Sequence, residues 1–145
     1  MPRLKSISIE NFRSIGENPV EIKFPDKMPL IIIGENNAGK TNIIRAIELM
    51  FGEYHPKYKS LDNYDHFDRN PNNKITIKTE VENFATRLGR NGEFSCGGFN
   101  YSCIKNKESD YIAIQHEDGN GNPYVSNKLH IFTHVNSNQR IFRIE

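Results

Sequence analysis

The run Leu30-Ile31-Ile32-Ile33, followed by Gly34-Glu35-Asn36-Asn37-Ala38-Gly39-Lys40-Thr41-Asn42, constrains this chain more than any other stretch. Four consecutive apolar residues predict a strand buried on both faces, as a central parallel strand is. From Gly34 to Thr41 the spacing is G-x-x-x-x-G-K-T, that of a phosphate-binding loop. Behind it, Ile43, Ile44, Ala46, Ile47, Leu49, Met50 and Phe51 predict a helix that is apolar on most sides and ends near Gly52.

The spacing suits anion binding for a physical reason. A helix N-terminus offers backbone N–H groups without intrahelical acceptors and the positive end of the helix dipole. Glycines let the backbone curl around a phosphate that a Cβ would obstruct. Residues Gly34, Glu35, Asn36, Asn37, Ala38, Gly39, Lys40, Thr41 and Asn42 are therefore the candidate cofactor-binding set. Lys40 is expected to reach the β- and γ-phosphates of ATP, and the Thr41 hydroxyl to ligate Mg²⁺. A glycine-rich turn without a ligand is the competing reading; the strand before the loop and the helix behind it argue against it.

A length of 145 residues suits one domain. With 36% hydrophobic residues and a mean hydropathy of −0.68, the core is modest and the polar surface extensive. The formal net charge of +1 makes no global demand for nucleic acid. No run approaches the ~20 apolar residues of a membrane span, and no apolar signal-peptide core stands at the N-terminus. Cys96 and Cys103 have no zinc-ligand spacing and read as ordinary reduced thiols, which points to the cytoplasm. The five histidines show no metalloprotease spacing, and no nucleophile–base pair stands out.

In chain order, Leu4 to Phe12 alternates, with Leu4, Ser6, Ser8 and Glu10 on one face and Ile7 and Ile9 on the other. Asn11 to Gly16 turns the chain, and Val20, Ile22 and Phe24 form a second strand before the turn Pro25-Asp26-Lys27. Residues 55–74 are polar and turn-rich, a long surface loop expected to be mobile. Its Asp62, Asp65 and Asp68 read as solvated rather than as a cation site. Ile75, Ile77, Thr79 and Val81 alternate with polar neighbours as a half-buried strand. A short helical turn is expected around Ala85 to Leu88, then a strand pair over Glu93 to Lys105 interrupted at Gly97-Gly98, a strand over Tyr111 to Gln115, and a last one over Leu129 to Val135. The segments are thus 1–54 (three strands, phosphate loop, helix), 55–74 (polar loop) and 75–145 (a mainly antiparallel β lobe).

A strand ending in Asn11-Phe12-Arg13-Ser14, a hairpin partner, and then I-I-I-G-E-N-N-A-G-K-T-N resembles the N-terminus of ABC-type ATPase heads of the OLD (overcoming lysogenisation defect), RecF and SMC group. The loop wording resembles the OLD-like ATPases most. The resemblance is specific over residues 3 to 52. It implies an α/β fold, a P-loop NTPase of ABC-ATPase-head type with an N-terminal lobe, here incomplete. It also implies that Arg13 and Ser14 contact the nucleotide from outside the loop. The partners it implies are ATP, the remainder of the ATPase or a second subunit (a homo-oligomer when complete), a Toprim-type nuclease and DNA, in repair or phage defence, with no membrane.

An ATPase of this kind needs an apolar strand ending in Asp-Glu to hold Mg²⁺ and position water. After Gly52 no such strand is found: Ile112 to Asp118 is broken by Gln115 and His116, and Ile141 to Glu145 by Arg143. Ser95-Cys96-Gly97-Gly98-Phe99 only superficially resembles a signature loop and reads as a bulge or turn. The apolar end Ile141 to Ile144 suggests the N-terminal piece of a larger ATPase, with Gln139 as a candidate water or Mg²⁺ contact. The competing functions are a nucleotide-sensing module without turnover, and a phosphoryl-transfer kinase, which the β-rich second half disfavours.

Overall fold

The alternation of Ile75, Ile77, Thr79 and Val81 becomes the centre of the sheet in the computed structural model of the chain. The structure describes residues 3–27, 29–35, 39–51, 61–82, 85–87, 93–95, 97–105 and 110–117. Among the described residues, seven strands and one long helix follow in the order β1 (Arg3–Glu10), β2 (Val20–Lys23), α1 (Lys40–Phe51), β3 (Ile75–Glu82), β4 (Ala85–Arg87), β5 (Glu93–Ser95), β6 (Gly98–Lys105) and β7 (Asp110–Glu117). Five of them form one antiparallel sheet in the order β2-β1-β3-β6-β7, and β4 pairs with β5 separately.

The core side of the sheet is read directly from the register. Ile9 lies opposite Ile77, Ile77 opposite Tyr101, Ile75 opposite Cys103, and Thr79 between Ile7 and Phe99. All of these side chains are buried. Helix α1 covers this face with Ala46, Leu49, Met50 and Phe51, and Phe51 meets Phe99 edge to face with centroids 5.9 Å apart. Fully burying one such aliphatic side chain stabilises by about 1.5–3 kcal/mol. Arg3 ties three chain segments at the sheet's end, its Nε 2.5 Å from Glu82 and its Nη1 2.6 Å from Asp26. Bonding to these two carboxylates raises its already high pKa.

Several expectations change here. Leu4 is on the core side, not with Ser8 and Glu10, because Leu4 pairs with Val81 while Ser6 pairs with Glu80. That one-residue shift is a bulge at Lys5, which turns Leu4 onto the face of Ile7. The expected helical turn around Ala85 is instead strand β4, paired with β5 from Ala85↔Ser95 to Arg87↔Glu93. Helix α1 is buried on one face only, and Ile44 is exposed. The largest departure is Leu30–Ile33, which forms no strand and is exposed along its whole length. A central strand is buried only when strands flank it on both sides, and none of the described strands pairs with this segment.

The loop after α1 is also more ordered than its composition suggests. Residues 61–74 carry two short 3-10 turns, Asn63–Asp65 and Phe67–Arg69. Asp62 caps the first in a capping box with Asp65. The segment is bonded to the turn after β1 through Arg13 N to Asp65 O (2.9 Å) and Phe67 N to Asn11 O (3.0 Å). His66 is buried, with Nδ1 2.8 Å from Asn73 O. The expected strand over Leu129 to Val135, Gln139 and Cys96 lie outside the described residues, as do the loop residues 52–60. No helix among the described residues is long and apolar enough to cross a membrane.

Candidate nucleotide site

The site is built where α1 begins. Gly39 adopts φ +88°, a left-handed conformation open to glycine, and its carbonyl accepts from the amides of Asn42 (3.0 Å) and Ile43 (3.3 Å). It therefore starts the helix. A Cβ at this position would stand 3.3 Å from Ser14 Oγ, so the turn after β1 packs directly against the loop. Asn42 Nδ2 donates to the same Ser14 Oγ at 2.6 Å. The first turn of α1 holds no acidic residue, so no carboxylate of that turn competes for the positive end of the helix dipole.

Lys40 is the first residue of the helix, and its ammonium donates to the carbonyls of Gly34 and Glu35, the latter at 2.9 Å. The lysine thus bridges the two ends of the loop. Thr41 and Glu35 are exposed beside it. Asn36, Asn37 and Ala38 lie outside the described residues.

Arg13 takes a different role from the one its neighbour Ser14 takes. Its backbone has φ +54°, and its Nη2 and Nε donate to one Asp65 oxygen at 2.8 and 3.1 Å. The second Asp65 oxygen accepts from the Asp62 amide at 3.0 Å. Asp65 is 8% exposed, so the arginine neutralises a carboxylate that would otherwise be buried unpaired. Arg13 is neither a solvated turn residue nor a free cation; it is bound to the loop across 52 residues of sequence. Nothing in the sequence marks Asp65 as the partner of Arg13. The Asp62-x-x-Asp65 spacing of a capping box was the available signal, and it marks the turn without revealing the arginine. Asp62 and Asp65 are thus engaged in capping and pairing, and no group of three or more His, Cys, Asp or Glu side chains among the described residues is placed to hold a metal ion.

Comparison with known proteins gives this geometry its context. Residues 3–142 match the family described as AAA ATPase domain. The chain belongs to that family. This AAA ATPase domain is 28% identical over 149 aligned residues to the OLD nuclease of Thermus scotoductus, covering 98% of the chain and 26% of the relative. It is 31% identical over 108 residues to the DNA replication and repair protein RecF of Rickettsia typhi, covering 72% of the chain and 29% of that protein. The domain therefore spans little more than a quarter of the length of either relative. Among solved structures it is similar to an SMC head domain with a coiled coil and joint from Pyrococcus yayanosii, with TM-score 0.63, 19% identity and coverage of 93% of the chain and 25% of the other. A second likeness is to a chain from work on ATP-driven dimerization and DNA-stimulated activation of SMC ATPases, with TM-score 0.58, 18% identity, and coverage of 92% and 77%. The fold is that of an SMC-type, P-loop ATPase head.

Proposed function

We propose that this domain is the ATP-binding lobe of an ATPase that acts on DNA, and that hydrolysis draws on residues from a further segment or a second subunit. The observation that carries the reading is the start of α1: a left-handed Gly39, where a side chain would be strained and its Cβ would stand 3.3 Å from Ser14 Oγ, followed at once by Lys40 folded over the loop. Such a cradle fits a phosphate chain. The DNA-linked role rests on what the relatives are named for, replication and repair in one case and a nuclease in the other.

On this reading the amides of the first helical turn donate to phosphate oxygens, and Lys40 exchanges the carbonyls of Gly34 and Glu35 for the β- and γ-phosphates. Asn42 holds Ser14 against the loop and so keeps its shape. Thr41 would hold Mg²⁺, which supplies charge neutralisation across the β- and γ-phosphates. A Toprim-type nuclease, a second copy and a role in repair or phage defence extend the same reading, as does a cytoplasmic location.

Calorimetric titration with ATP and Mg²⁺ tests it. Lys40→Ala is expected to weaken binding by about 1.5–3 kcal/mol, the worth of charge-assisted hydrogen bonds. Equal affinities for the two proteins would remove Lys40 from the site.

A further inference from the structure

The turn at residues 11–16 is held from two sides at adjacent residues. On one side Ser14 meets the start of α1: its Oγ accepts from Asn42 Nδ2 at 2.6 Å and stands 3.3 Å from where a Cβ on Gly39 would be. On the other side Arg13 meets the segment 61–74, its amide donating to Asp65 O and its guanidinium to the Asp65 carboxylate. Phe12 and Ile15 flank this pair and are buried in the core, which anchors the turn at both ends.

The segment 61–74 docks on the turn by more than this ion pair. Phe67 N donates to Asn11 O at 3.0 Å, Asn11 Nδ2 donates to Lys74 O at 3.1 Å, and Phe12 and His66 form an antiparallel bridge. The Phe67 ring sits against Gly16, where a Cβ would lie 3.1 Å from its Cζ. The non-glycine residues of positive φ among the described residues are Asn11, Arg13, Asp68 and Arg69, so all of them lie in the turn or in the segment docked on it. Such conformations persist only where surrounding contacts hold them. Turn and segment therefore hold each other, and a change in the fit of one is felt by the other.

We propose that Asp65 is a positioning residue for nucleotide binding: through Arg13 it holds Ser14 against the start of α1, and phosphates arriving at residues 39–42 in turn tighten the segment 61–74. The proposal rests on the phosphate-loop reading above and adds to it a second region that responds to the ligand. Asp65 is buried and both of its carboxylate oxygens are engaged, Oδ1 by Arg13 and Oδ2 by the Asp62 amide, so it acts through Arg13 and not on the nucleotide. The coupling is reciprocal: a ligand that tightens the segment is itself bound more tightly when the segment is docked.

Site-resolved amide exchange of the chain, with and without ATP and Mg²⁺, reads the coupling before any variant is made. The amides of Arg13 and Phe67, which bridge turn and segment, are expected to slow together with those of residues 39–42. Ser14→Ala should keep the slowing at residues 39–42 at saturating ATP and lose it at Arg13 and Phe67. In calorimetric titrations well below the melting temperature, Asp65→Asn should weaken ATP binding about fivefold. Asp62→Ala removes the carboxylate that accepts from the Tyr64 amide but leaves the Arg13–Asp65 pair, and should keep the wild-type affinity. Slowing at residues 39–42 with Arg13 and Phe67 unchanged, wild-type affinity in Asp65→Asn, or an equal loss in Asp62→Ala and Asp65→Asn would overturn the positioning role while leaving the phosphate loop standing. Wild-type protein without ATP-dependent slowing at residues 39–42 would overturn both readings.

Discussion

Ile77 and Ile33 are the same residue type, and Ile33 stands in the more apolar run of sequence, yet Ile77 is 0% exposed and Ile33 is 90% exposed. The first lies in an antiparallel sheet whose neighbours, β1 and β6, are described within the same chain. The second lies in a segment that pairs with none of the described strands. An apolar run therefore indicates that burial is required, but the partner that provides it must come from elsewhere in the fold. The sheet region is stabilised by its own contacts, while the loop region is shaped by a few hydrogen bonds to Ser14 and the loop carbonyls.

The largest effect expected from this contrast is on stability. Ile77→Ala should cost about 2–5 kcal/mol, through lost burial and the cavity left under α1. Ile33→Ala, at an exposed position, should stay within about 0.5 kcal/mol. Urea denaturation of both variants checks the pair. Similar losses at the two sites would show that Leu30–Ile33 is buried in solution.

The Arg13–Asp65 pair links the two regions and should give an intermediate effect. Arg13→Ala is expected to destabilise the nucleotide-free protein by about 1–3 kcal/mol, because it leaves Asp65 buried without its partner. A simply exposed side chain would cost much less. Replacing both residues, Arg13→Ala with Asp65→Asn, should recover part of the loss, and a double-mutant cycle in thermal melts measures the coupling. Strict additivity would show that the pair contributes nothing.

A smaller effect should appear in alkali and only in the sheet. Burial pushes the Tyr101 phenol well above its ordinary pKa, and its interaction with Cys103 adds to the shift. The folded state therefore holds a proton that the unfolded chain releases above about pH 10. The stability contributed by neutral Tyr101 is complete below that pH and falls as pH rises beyond it. Tyr101→Phe should flatten the fall in melting temperature above about pH 10. An unchanged alkaline profile would assign the loss to other groups.

The sheet was legible where period-2 alternation was unbroken, as in β3, and where an apolar strand ran between turn residues, as in β7. At Leu4 alternation alone assigns the wrong face, since a bulge shifts register by one residue without leaving a mark in composition. β4 is not legible because Ala85–Arg87 is too short for a period to register. The phosphate loop was legible because its chemistry fixes residue types at fixed spacing. Asp65 as the partner of Arg13 was not legible, since nothing local in sequence joins positions 52 residues apart.

Amide hydrogen exchange with and without ATP and Mg²⁺ tests the central claim most directly, that the start of α1 receives the phosphates. The account predicts that amides of Gly39 to Asn42 slow markedly when ATP is added, while those of β3 and β6, already bonded within the sheet, exchange slowly in both states. In Lys40→Ala the ATP-dependent slowing should require higher nucleotide concentrations. Protection that appears elsewhere while Gly39 to Asn42 exchange unchanged at saturating ATP would contradict the account.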